Sequence, residues 1–138
     1  MRQNRFYWGE EINDPTFILK DQNILAQLKN VLRAKVGDTI FLFDGRGEET
    51  KAEIKNFKKN EVELNILSRE KKFETCPKVC LYLAILKKEN FELAVQKAVE
   101  AGVSEITPVI SELTIKTGLN IPRLEKIIIE ASEQSGRS

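Results

Sequence analysis

The sequence predicts a mixed α/β protein in two parts, α+β in the first and α/β in the second. Three observations carry this. Before residue 72, short alternating segments separated by turn residues point to a small β-barrel or sandwich. Val79 to Leu86 is one continuous apolar run, the pattern of a strand buried on both faces. Phe91, Ala94, Val95, Ala98 and Val99 then recur at helical spacing, and Ser104 to Val109 reads as another strand. Strand, helix, strand over this length is a βαβ unit, with parallel strands and a right-handed crossover.

In chain order, Arg5 to Trp8 and Thr16 to Leu19 read as strands. Asp21 is placed to cap a helix running to about Leu32, with Ile24, Leu25, Leu28, Val31 and Leu32 inward. Gly37-Asp38 turns the chain. Thr39 to Phe43 is a strand, joined through Asp44-Gly45-Arg46-Gly47 to a second over Glu49 to Phe57. Lys58-Lys59-Asn60 turns again before Val62, Leu64 and Ile66 alternate. Residues 68–78 are polar and read as a linker between domains over 1–72 and 73–138. Gly102 ends the central helix, and Pro122 opens a last one carrying Leu124, Ile127, Ile128, Ala131 and Ser132 on one face.

Composition narrows function without naming it. Lys plus Arg is 22 and Asp plus Glu is 21, so any contact with nucleic acid must be a local patch on a mixed surface. There is no histidine, which removes the commonest general base and metal ligand. The two cysteines, Cys76 and Cys80, have no second ligand pair, so no metal site is expected. No run is long enough to span a bilayer and no secretory signal is visible, so the expected location is the cytoplasm.

Five short motifs lie in register along the chain: Val31-Leu32-Arg33 with Gly37-Asp38; Leu42-Phe43-Asp44-Gly45; Leu86-Lys87 with Gln96-Lys97, Glu100 and Gly102-Val103; Ile106-Thr107-Pro108 with Ser111-Glu112; and Glu130-Ala131 with Glu133 to Arg137. Together they resemble the ribosomal RNA small subunit methyltransferase E family of the SPOUT superfamily. Gln27 and Leu113 depart from its pattern, standing where the family usually has histidine and arginine. The glycine-rich loop and C-terminal knot of that family are absent from these 138 residues, which therefore read as its N-terminal part, truncated and inactive alone.

The resemblance implies a PUA-like RNA-binding β-barrel over 1–72 and the first βαβα portion of a SPOUT parallel-sheet domain over 73–138. It implies methyl transfer from S-adenosylmethionine to N3 of a uridine in 16S rRNA, on the small ribosomal subunit or its RNA, by a homodimer. The RNA-binding residues it points to are Arg2, Arg5, Arg33, Arg46, Lys87, Lys97, Glu100 and Arg137. No catalytic residue is assigned, and none of the cofactor site is expected in this chain. For Arg33 the competing reading is a cation at a helix C-terminus; for Lys97 and Glu100 it is a solvated helix stripe. A patch of Arg5, Arg33 and Arg46 is the expected RNA contact, with Lys59 outside it. A non-catalytic RNA-binding module and a structural α/β fragment are the alternative functions.

Overall fold

Arg5–Tyr7 (β1), Thr16–Leu19 (β2), Thr39–Phe43 (β3), Glu48–Phe57 (β4) and Val62–Lys71 (β5) pair into one mixed sheet in the order β1-β3-β4-β5-β2. The computed structural model describes residues 4–71, 77–114 and 118–136. It divides into two compact units, Met1–Phe73 and Glu74–Arg137.

In the first unit β1 runs parallel to β3, and every other pairing is antiparallel. Register shifts between Lys51 and Ala52 and between Ile54 and Asn56 curl the long β4–β5 hairpin, as β-bulges do. Alternation sets the core: Ile40, Leu42, Ala52, Ile54, Val62 and Leu64 face inward and are closed off from water. Burial of each large aliphatic side chain contributes about 1.5–3 kcal/mol before entropy is counted. β5 continues to Lys71, four residues into the expected linker, because Glu48 to Lys51 supply its ladder partners.

The helix of this unit does not run as the periodicity predicts. The Asp21 carboxylate accepts from the Asn23 and Ile24 amides at 2.8 and 2.9 Å and starts α1 (Gln22–Ala26). The ladder then widens into a π-helical segment, Gln27–Val31, and the Leu32 amide donates to the Gln27 carbonyl five residues back at 2.9 Å. The wider turn rotates the residues at its C-terminal end. Leu28 stays wholly buried, whereas Val31 and Leu32, expected inside, are 73% and 39% exposed. Arg33 closes the segment in the left-handed region, at φ 50°, and the Ala34 amide reaches back to the Leu28 carbonyl at 2.9 Å.

In the second unit Cys80–Ala84 (β6) and Glu105–Val109 (β7) pair in parallel, Cys80 opposite Glu105 and Ala84 opposite Val109. Lys88–Ala101 (α2) connects them, buries Phe91, Val95, Ala98 and Val99, and ends at Gly102 with φ 91°. Ile121–Ser135 (α3) packs on α2, with the Asn120 side chain accepting from the Arg123 amide at 3.1 Å and Pro122 in its first turn. Asn120 is thus the N-cap of α3. The expectation that Val79 to Leu86 is buried on both faces does not hold. Tyr82 is 73% exposed and Val79 and Leu86 are about half exposed, because among the described residues the sheet has two strands and both are edges.

Candidate nucleic-acid interface

The candidate residues fall at separate places within each unit. Arg5 lies inside. Its guanidinium meets the Glu49 carboxylate, Nη2 at 2.6 Å and Nε at 2.7 Å from Oε2, with both side chains at least 94% out of water. It also stacks 4.8 Å above the Phe43 ring, which Tyr7 meets edge-on at 5.7 Å. Arg5, Tyr7, Phe43 and Glu49 thus form a small second cluster on the sheet face away from the main core. An arginine so enclosed holds strands together; it is not presented to a phosphate, and the expected patch loses it.

Arg46 sits exposed on the β3–β4 hairpin. The Asp44 carboxylate accepts from the amides of Arg46 at 2.7 Å and Glu48 at 3.0 Å and fixes the turn. Gly45, at φ 74°, also approaches Tyr7 so closely that a Cβ would stand 3.2 Å from its ring. Arg33 is exposed at the other end of β3, past the π-helical segment. Five residues of strand separate the two ends, roughly 15 Å at about 3.4 Å per residue. Arg33 and Arg46 thus lie toward opposite ends of β3.

Arg33 instead shares its end of the sheet with the β4–β5 turn. Lys29 Nζ donates to the carbonyls of Lys58 at 2.9 Å and Lys59 at 3.2 Å, and lies 5.8 Å from the centre of the Phe57 ring. This strut has no signature in the sequence. It holds the Lys58-Lys59 turn against the helical segment that leads to Arg33, whereas the sequence places Lys59 outside the region of Arg33. The Glu61 carboxyl is held below its ordinary range by the hydrogen bond from Lys58, 2.7 Å away.

In the second unit Lys87 precedes α2 at the carboxyl end of β6, where ligands gather in α/β sheets. It lines an open groove of about 770 Å³ together with Leu86, Asn90, Phe91, Leu119 and Leu124. Lys97 and Glu100 lie about 15 and 20 Å further along the helix. They pair with each other at 2.6 Å, and Gln96 adds a 3.0 Å hydrogen bond to the same carboxylate, which holds it below its ordinary pKa. Their shared geometry is that of an exposed helix stripe, and it does not bring them to Lys87. Arg2, Arg137 and Cys76 lie outside the described residues. No cluster of three or more metal-ligating side chains occurs among the described residues, and no helix of the described residues is long and apolar enough to cross a membrane.

The family model for the RNA methyltransferase PUA domain matches residues 28–67, and that for the RNA methyltransferase domain matches residues 74–138. The first match covers β3 to most of β5 of the mixed sheet and the second covers the parallel α/β opening, so the class is that of proteins built from RNA methyltransferase domains. The ribosomal RNA small subunit methyltransferase E of Rickettsia conorii is 34% identical over 99% of the chain and 57% of its own length. That of Synechocystis is 30% identical over 93% of the chain and 42% of its own length. The crystal structure of ribosomal RNA small subunit methyltransferase E from Neisseria gonorrhoeae, bound to S-adenosyl methionine, superposes with a TM-score of 0.83 at 35% identity, over 98% of this chain and 58% of that one. The chain belongs to the ribosomal RNA small subunit methyltransferase E family and matches its N-terminal part. It spans about half the length of the curated relatives that it matches.

Proposed function

We propose that this chain is the N-terminal part of a cytoplasmic, homodimeric enzyme that methylates N3 of a uridine in 16S rRNA with S-adenosylmethionine. The observation that carries the reading is the match along 99% of the chain to a relative named for rRNA methylation, together with the fold shared with an S-adenosyl methionine-bound structure. In this reading residues 1–72 form a PUA-like barrel that binds RNA, and residues 73–138 the opening βαβα portion of a SPOUT-type domain.

The division of labour comes from the chemistry of the residues. S-adenosylmethionine supplies an electrophilic methyl group. In the described residues of the second unit the segment after β6 is Ile85-Leu86-Lys87, without a glycine for close backbone approach, and the adjoining groove mixes Leu86, Phe91 and Leu124 with the charged Lys87, Lys88, Glu89 and Glu92. In this reading the cofactor is held by parts of the enzyme other than these residues. A uridine N3 proton is weakly acidic, so its removal needs a base or a group that stabilises the anion. This chain has no histidine to act as one. Its own task is to hold the RNA.

The test uses the gene product that contains these residues, incubated with small ribosomal subunits and methyl-labelled S-adenosylmethionine. A methyl on uridine N3 blocks the Watson–Crick edge and stops reverse transcriptase at one position. Label in 16S rRNA with a single uridine stop is expected. Label on another base, or no transfer, overturns the reading.

A further inference from the structure

The first unit is electrically polarised along its strands. At the end capped by the helix stand Lys20, Lys29, Arg33, Lys35, Lys58 and Lys59. The chain geometry brings them to one end: Gln22 Nε2 spans the carbonyls of Lys20 and Asn60, Lys29 grips the β4–β5 turn, and Gly37 and Asp38 bond to Ile54 near the end of β4. Four carboxylates share that end and all are engaged, Glu63 through a 2.7 Å pair with Lys55. Asp21 caps α1, Asp38 accepts from the Lys35 amide at 2.7 Å, and Glu61 pairs with Lys58.

The opposite end has the reverse balance. Glu10, Glu11, Asp14, Asp44, Glu48 and Glu70 outnumber Arg46, Arg69 and Lys71 there. Two further observations single out the helix end. Arg33 is the one non-glycine residue at positive φ among the described residues, a conformation costing about 1–2 kcal/mol that glycine would adopt freely. Val31 and Val36, 73% and 61% exposed, stand among the cations and offer apolar contact beside the charge.

Resting on the reading that the first unit binds RNA, we infer that the helix-capped end, with Arg33, Lys35 and Lys59 as its phosphate contacts, is the RNA-docking surface, and that the hairpin carrying Arg46 is not. Lys29 acts differently. Its ammonium is committed to the turn carbonyls, so it positions Lys59 relative to Arg33. The chemistry recognised is the phosphate backbone of single-stranded or looped RNA, since Arg33, Lys35 and Lys59 are exposed cations whose shared chemistry is attraction to phosphate oxygens.

The test measures binding of a 16S rRNA fragment to the whole 138-residue chain across a salt series. Each phosphate contact to single-stranded RNA contributes roughly 0.7 to the slope of log affinity against log salt. The triple variant Arg33→Gln, Lys35→Gln, Lys59→Gln is expected to flatten that slope by about 2 and to weaken binding at least tenfold at moderate salt, by the same rule. Lys71→Gln, at the acidic end, is expected to change neither. An unchanged slope in the triple variant overturns the inference, and so does an equal loss in Arg46→Gln. Should the triple variant melt at a lower temperature, Lys59→Gln alone carries the test through its single-contact change in slope. Absence of RNA binding by the unsubstituted chain overturns the reading of the first unit itself, and the inference with it.

Discussion

Glu49 reaches Arg5 across a strand that separates them: β3 lies between β1 and β4, and the two side chains close over Phe43 at 2.6 Å. The pair ties three strands on the face away from the main core. Loss of one partner leaves a charge in a place closed to water, which costs about 3–5 kcal/mol, whereas replacing both with apolar residues of similar volume is often neutral. Glu49→Ala is expected to lower unfolding stability by that amount, and Arg5→Met with Glu49→Leu to recover most of it. Urea unfolding of the three proteins measures this. The double variant is also expected to bind RNA as the parent does, because Arg5 is not exposed to it. A loss of RNA affinity in a stably folded double variant would return Arg5 to the interface.

Arg33 makes the opposite case, an exposed residue in a backbone region that favours glycine. Arg33→Gly relieves the left-handed cost of about 1–2 kcal/mol and adds an unfolded-state entropy penalty of about 0.5–1 kcal/mol. The net expectation is stability unchanged or raised by up to about 1.5 kcal/mol, with RNA affinity reduced. A cation that served only the helix terminus would give a different pattern, a small loss of stability with RNA affinity intact. Thermal melts and an RNA titration on the same preparation separate the two.

The π-helical segment has its own signature. Leu28 is fully buried and Val31 is 73% exposed, although helical periodicity places both inside. Leu28→Ala is expected to cost about 2–5 kcal/mol, and Val31→Ser less than about 0.5 kcal/mol, in chemical denaturation. Comparable costs at both positions would mean an uninterrupted α-helix.

Much of the fold was legible because its signals are local. Alternation at Val62, Leu64 and Ile66, the Asp44-Gly45-Arg46-Gly47 turn, the helical face of Phe91 to Val99 and the glycine stop at Gly102 all depend on near neighbours. The parallel pairing of β6 and β7 was readable from connection length. The features that escaped were non-local. The parallel β1–β3 contact has no sequence signature, and Glu49, in phase with the outward Lys51, is buried only because Arg5 arrives from another strand. The π turn leaves no local mark, yet it decides which way Val31 and Arg33 face. The candidate interface was therefore half readable. Arg33 was visible in its motif, but its neighbours Lys29 and Lys59 were visible only once the β4–β5 turn and the helix were brought together.

In the second unit Arg123 of α3 donates to Glu92 of α2 at 2.6 Å, and this hydrogen bond is the largest cause holding the Glu92 carboxyl below its ordinary value of 4.5. A carboxyl whose folded pKa is depressed contributes stability above its unfolded pKa, and that contribution is lost as pH falls through the folded value. Glu92→Gln is therefore expected to loosen the α2–α3 contact at neutral pH and to matter progressively less as pH falls below 4.5 and through the depressed folded value, where the parent carboxylate becomes protonated. Hydrogen exchange of the α2 and α3 amides at neutral and acid pH reads this without depending on the first unit. A difference between parent and variant that persists undiminished at the acid end would mean that Glu92 acts through its shape and not its charge. Arg123→Gln is expected to raise the Glu92 pKa toward 4.5, visible as a shifted side-chain carboxyl titration by NMR, while Lys126→Gln, whose carboxylate partner is Glu130 at 3.8 Å, is expected to leave it in place.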